Sequence, residues 1–187
     1  MAKIILISGK AEHGKTATAH IIKERLESEG KTVTIVPFAS YLKFVCREYF
    51  DWNGKKDLEG RRILQYVGTD VVRKKDPDFW VRTVGDFIKM FEDDFDFFII
   101  DDCRFVGEAD YFTDIQPMDV LKIRVIRNNF ENSLTKSQRL HQSETDLDDY
   151  PHFDVYLSSD SELFNLRQEI YNSIFANMVL NSWLFSE

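Results

Sequence analysis

Ile4-Ile5-Leu6-Ile7-Ser8-Gly9-Lys10-Ala11-Glu12-His13-Gly14-Lys15-Thr16 passes from four apolar residues into two glycines, a lysine and a hydroxyl side chain at the spacing G-x-x-x-x-G-K-[ST]. The apolar run reads as a buried strand. Glycines at these positions let successive backbone N–H groups turn inward on phosphate oxygens. The lysine reaches the terminal phosphates, and the hydroxyl is a magnesium ligand type. The pattern carries meaning only between a strand and a helix. After Thr16, Ala19, Ile22 and Leu26 recur at helical spacing, Glu24, Glu27 and Glu29 form a solvated face, and Gly30 stands where a helix closes. Residues 32–36 are β-branched and give a second strand. A nucleoside triphosphate is the expected guest, held by Gly9, Lys10, Ala11, Glu12, His13, Gly14, Lys15, Thr16 and Ala17.

Working outward, residues 95–100, 120–126 and 153–157 are rich in β-branched or aromatic residues and predict three further strands. Helical stretches separate most of them. Strands that are apolar throughout and alternate with helices imply a parallel sheet covered on both faces, a three-layer α/β domain with five strands. No repeat or linker divides the 187 residues, so one domain spanning 1–187 is expected. Two excursions interrupt the pattern: a mostly helical one at about 38–93 and a polar one at about 127–147. Ligands of open parallel sheets bind outside the carboxyl ends of the strands, where such excursions emerge. These two are placed to hold a second substrate and to close as a lid over the first.

The formal net charge of −8 argues against a surface built to wrap nucleic acid. A local cationic cleft still suits a small phosphorylated ligand. Cys46 and Cys103 lack zinc-type spacing, which predicts reduced thiols in a cytoplasmic protein. The opening apolar run is too short for a signal peptide or a spanning helix, so no membrane association is expected. Leu163, Leu166, Ile170, Ile174, Phe175 and Met178 predict a last helix packed on the sheet. Trp183, Leu184 and Phe185 either join that core or form a homodimer contact.

Several segments go beyond a generic phosphate loop: Phe38-Ala39-Ser40-Tyr41-Leu42-Lys43, Gly60 through Arg73 (GRRILQYVGTDVVR), and Pro77-Asp78-Phe79-Trp80-Val81. To these add Asp101-Asp102-Cys103-Arg104-Phe105 with Glu108, and His141-Gln142-Ser143-Glu144 followed by Leu147-Asp148-Asp149-Tyr150. Together, and in this order, they resemble the deoxynucleoside monophosphate kinases of the bacteriophage type, within the P-loop kinase superfamily. Where that family often carries Asp after Phe-Ala, this chain has Ser40. The resemblance implies transfer of the γ-phosphoryl group of ATP, with Mg²⁺, to a deoxynucleoside monophosphate.

Phosphoryl transfer asks for positioning groups and positive charge around an in-line displacement. Lys15 is expected to follow the transferring group, with Thr16 and Asp102 at the metal, Asp102 being preferred over Asp101 because it fits the Asp-x-Arg-Phe pattern. Arg73 and Arg104 are expected at the acceptor phosphate, assisted by Lys43; Gln65 and Asp70 at its base or sugar; and Trp80 as a stacking wall. Arg139, in preference to Arg127, is the expected lid cation, and His141 a loop brace. Each cation has a plainer alternative in an exposed ion pair, and Trp80 in the core. Two other functions fit the same motif: a kinase of another small phosphorylated acceptor such as phosphomevalonate, and a regulatory ATP-binding module without an acceptor pocket.

Overall fold

The computed structural model describes residues 2–159, 163–176 and 178. Five parallel strands, β1 (Lys3–Ser8), β2 (Val33–Ile35), β3 (Phe97–Cys103), β4 (Asp119–Arg127) and β5 (Val155–Ser159), form one sheet in the order β2-β3-β1-β4-β5. Alternate residues of a strand face opposite sides, and here both sides are apolar. Ile5 and Ile7 of β1 point to α1 (Lys15–Ser28) and to the last helical segment, meeting Ala19, Ile22, Leu26, Leu166, Ile170 and Ile174. Ile4 and Leu6 point the other way, into a core with Phe38, Val81, Ile88, Phe98 and Phe112. Helices therefore cover both faces, as the apolar strands demand.

Between β2 and β3 lie α2 (Ala39–Tyr49), α3 (Leu58–Gln65) and α4 (Phe79–Met90). The chain continues from α3 directly into a π-helical stretch, Tyr66–Arg73. This excursion has a small core of its own, Cys46, Trp52 and Val67, packed by Leu42, Val45, Ile63 and Leu64. After β3 come α5 (Val106–Asp110) and a π-helical turn at Tyr111–Ile115. The segment after β4 carries only two short helices, α6 (Lys136–Arg139) and α7 (Gln142–Thr145), before β5. Helix α8 (Leu163–Ile170) runs on as the π-helical Tyr171–Phe175. Leu166, Ile170, Ile174, Phe175 and Met178 are buried against the sheet, as their spacing predicts. Trp183, Leu184 and Phe185, and with them the expected homodimer contact, lie outside the described residues.

Helix α1 ends at the predicted place: Gly30 has φ 79°, and the Lys31 N–H returns to the Leu26 carbonyl at 3.1 Å. The third strand is longer than its pattern suggests. It runs to Cys103 because its pairing with β1 slips between Leu6↔Ile100 and Ser8↔Cys103, setting Asp101 and Asp102 together opposite Ile7. Cys46 and Cys103 are buried free thiols. Among the described residues no helix is long and apolar enough to cross a membrane.

Candidate active site

The loop after β1 is shaped by two glycines. Gly9 has φ 151°, and a Cβ there would sit 2.5 Å from the Val125 carbonyl oxygen; Gly14, at φ 97°, turns the chain into α1. Inside this loop the Lys15 ammonium donates to the carbonyls of Gly9 and Lys10, each at 2.7 Å. Burial, and then the nearby Arg104 guanidinium, lower the Lys15 pKa to about 7. A lysine so poised gains most from an anion that restores its charge.

Beside the loop opens a cavity of about 510 Å³. Its near wall is Ala11, Glu12, Gly14, Lys15, Thr16 and Ala17. Its far wall is one face of the α3 helix and its π-helical continuation, presenting Arg61, Leu64, Gln65, Gly68, Thr69 and Arg73, with Leu42, Lys43 and Trp80 behind. The strand end contributes Asp101, Asp102, Arg104 and Phe105, and the segment after β4 contributes Leu134, Ser143 and Glu144. Of the residues singled out from the sequence, the cavity thus unites Ala11, Glu12, Gly14, Lys15, Thr16, Ala17, Lys43, Gln65, Arg73, Trp80, Asp102 and Arg104.

Five do not border it. Gly9 acts through its backbone. Lys10 and His13 line a separate cavity of about 220 Å³, where the Lys10 ammonium pairs with Asp148 at 2.8 Å. Asp70 is exposed on another side of its helix. The Arg139 guanidinium is taken up by Glu131, at 2.6 Å, and by the carbonyls of Leu134 and Asn132, so it braces its own loop. Ser40 is exposed and also lies outside the cavity. His141 accepts the Ser143 N–H at 3.2 Å, as a loop brace should.

The two strand-end acids divide their work in the opposite sense to the sequence expectation. Asp102 accepts the backbone N–H groups of Phe38, at 2.8 Å, and Ala39, at 3.0 Å, and so fastens the start of α2. Burial, and then the charge of Asp101, push its carboxyl up. Asp101 instead receives the Thr16 hydroxyl at 2.7 Å. A hydroxyl and a carboxylate oxygen in contact at the phosphate loop are the hard donors that Mg²⁺ takes alongside phosphate and water oxygens, so Thr16 and Asp101 fit that ion. Among the described residues there is no cluster of three or more His, Cys, Asp or Glu for a self-contained metal site.

Glu108, which the sequence offered only as part of a motif, organises the cations. Its buried carboxylate pairs with Arg73 at 2.7 Å and accepts the N–H groups of Arg104, at 2.7 Å, and Phe105, at 3.1 Å. Burial pushes this carboxyl above its usual range, against the pull of Arg73. The Arg73 guanidinium lies 3.8 Å from the Phe105 ring centroid. Glu144 does the same for Arg104, pairing with it at 2.6 Å while accepting the Ala11 N–H of the loop at 2.9 Å. Trp80 is buried and donates from its indole to the Gly68 carbonyl at 3.0 Å, which fixes its ring as a wall. Sequence reasoning missed Lys56, Arg61 and Thr69 as cavity residues. A helical stripe drawn back from Arg73 in steps of four would have found Thr69, Gln65 and Arg61.

No curated protein matches this chain. Among solved structures, a point mutant of the Mycobacterium tuberculosis APS kinase is similar at 10% identity and a TM-score of 0.48, over 91% of this chain and 95% of that one. At that distance the likeness supports no statement about the site. Over residues 35–170 the sequence matches the deoxynucleotide monophosphate kinase family, which takes in α2, the helical wall, the strand-end acids and the Glu144 segment, and the chain belongs to that family of nucleotide kinases.

Proposed function

We propose that the protein transfers the γ-phosphoryl group of ATP to the phosphate of a deoxynucleoside monophosphate, giving ADP and the diphosphate. The observation that carries the reading is that one cavity has a phosphate loop for one wall and a cation-bearing helix face with an aromatic end for the other, with Arg104 between them. A triphosphate chain enters along Gly14–Thr16, and Lys15 exchanges its two backbone carbonyls for phosphate oxygens. Thr16 and Asp101 are the residues to hold Mg²⁺, which supplies charge neutralisation between the phosphates when bound.

The acceptor lies across the cavity. Arg73, held by the buried Glu108, and Arg104, held by Glu144, offer guanidinium edges to its phosphate, and Lys43 adds charge. Its base rests on Trp80, Leu42 and Leu64, with the Gln65 amide and the Thr69 hydroxyl to hydrogen-bond it. An acceptor phosphate oxygen forms the new bond to the γ-phosphorus as the bond to the β–γ bridging oxygen breaks, and that oxygen leaves with the electron pair on ADP. Glu12 accepts the N–H of Ser133 at 3.0 Å, tying the segment after β4 to the loop. Arg139 stiffens that segment. Two buried free thiols suit a reducing, cytoplasmic setting.

The test is a coupled ADP-release assay of the common deoxynucleoside and ribonucleoside monophosphates with ATP and Mg²⁺. ADP formation that requires a deoxynucleotide and yields an equal amount of its diphosphate is the expected result. ADP release indifferent to every acceptor would overturn the reading in favour of a nucleotide-binding module.

A further inference from the structure

The short connection from α2 to α3 is built with more care than a surface loop requires. Trp52 is buried, and its indole donates to the Lys55 carbonyl at 2.8 Å. The Lys55 N–H is held by Asn53 at 2.9 Å, and the Asp57 side chain caps α3 through the Gly60 N–H at 2.8 Å. A Cβ on Gly60 would stand 2.0 Å from the Lys55 carbonyl oxygen and 2.7 Å from the Trp52 indole nitrogen, so only glycine admits this packing. The backbone of Lys56 is thereby fixed, and the Arg61 Nε donates back to the Lys56 carbonyl at 3.0 Å.

Two cations project from this brace into the nucleotide cavity. Arg61 pairs with Glu12 of the phosphate loop at 3.0 Å. The Lys56 ammonium makes no hydrogen bond or ion pair among the described residues, although it borders the same cavity. Burial, and then Lys43, Arg104 and Arg61, push it below its usual range. Like charges gathered around an ammonium with no ion-pair partner are unfavourable, the Asp102 carboxylate offsetting them only in part, and the cost is recovered when a polyanion enters. Lys56 borders the same cavity as Lys15, Arg61 and Arg104, and the Arg104 charge acts on both lysines.

We propose that Lys56 and Arg61 form a two-cation arm that contacts the phosphoryl group during its transfer, Lys56 directly and Arg61 while held by Glu12. This rests on the kinase reading above. Midway through the transfer the β–γ bridging oxygen gains negative charge as its bond to the γ-phosphorus breaks, so cations at the transferring group stabilise that state more than either bound nucleotide.

The test compares Lys56→Met, Lys56→Arg and Arg61→Met with Lys55→Met, whose side chain lies outside the cavity. Readouts are kcat and both KM values, with ADP and a dinucleoside pentaphosphate spanning both sites as binding probes. Lys56→Met should lower kcat by about tenfold or more while KM values stay within about threefold. It should weaken the pentaphosphate by a similar factor, leave ADP binding unchanged, not lower the melting temperature, and be partly rescued by Lys56→Arg. Unchanged kcat and unchanged pentaphosphate binding in both Lys56→Met and Arg61→Met would overturn the arm. So would a loss that appears wholly in the KM for one nucleotide. Wild-type protein that phosphorylates no nucleoside monophosphate would instead sink the kinase reading on which the arm depends.

Discussion

Raising the pH should loosen nucleotide binding through Lys15. In the free protein its pKa lies at about 7, set by burial and then by Arg104. A polyphosphate beside the ammonium raises that value, so the bound state keeps a proton that the free state sheds above pH 7. Affinity is therefore full below pH 7 and falls as pH rises toward the bound-state pKa. With one linked proton the slope approaches about tenfold per pH unit, and between pH 7 and 9 the loss is about fifty-fold. At pH 8.5 the phosphates are fully ionised, since their second pKa is about 6, so proton uptake there reports on the protein. Isothermal titration calorimetry of ADP at pH 8.5 in two buffers of different ionisation enthalpy measures it directly. Uptake of close to one proton per nucleotide, absent in Lys15→Met, is expected. No buffer dependence together with a flat affinity from pH 7 to 9 would refute the assignment of Lys15 to the phosphates.

Asp101→Asn should raise the Mg²⁺ concentration needed for half-maximal turnover while leaving the melting curve nearly in place. Asp102→Asn should do the reverse, losing about 2 kcal/mol of stability because an amide keeps one acceptor oxygen and leaves one of the Phe38 and Ala39 N–H groups facing an NH₂ group. Urea titration and Mg²⁺ titration of both variants separate the two roles. Arg73→Ala strips a buried partner from Glu108 and should cost about 3 kcal/mol, with acceptor KM raised and ATP affinity kept; equal damage to both nucleotides would move Arg73 to the donor site. Gly60→Ala forces a Cβ against the Lys55 carbonyl and should cost about 1–3 kcal/mol, read by thermal melting, while kcat falls as the Lys56 backbone shifts. A Gly60→Ala protein as stable and as fast as wild type would mean that the packing around Lys55 holds nothing in place.

Much of the architecture is legible because its causes are local. Ile4 to Ile7 can be buried on both faces only inside a parallel sheet, and Gly9, Gly14 and Lys15 announce the loop that follows. Cavity residues on long regular elements, such as Lys43, Gln65 and Trp80, follow from spacing and the family pattern. What sequence leaves open turns on irregular backbone. The slip opposite Ile7 decides which strand-end acid meets Thr16, and no alternation rule anticipates it. Along the stretch that continues α3 as a π-helix at Tyr66–Arg73, the positions spaced by four, Gln65, Thr69 and Arg73, border the cavity and Asp70 does not, so the choice between the i−3 and i−4 neighbours of Arg73 is the part that spacing alone leaves open. Arg139 reads as a lid cation by position, yet three acceptors in its own loop claim it. Lys56 sits in a turn whose direction depends on Trp52 packing against Gly60, a contact between residues eight positions apart.

A crystal structure with ADP and a deoxynucleoside monophosphate bound together tests the shared cavity most directly. The ADP β-phosphate is expected against the backbone N–H groups of Gly14 to Thr16 and the Lys15 ammonium, and the monophosphate is expected to be held by Arg104 and Arg73 with an oxygen facing the vacated γ position. A monophosphate seated outside the cavity, or turned with its phosphate away from Arg104, would contradict it.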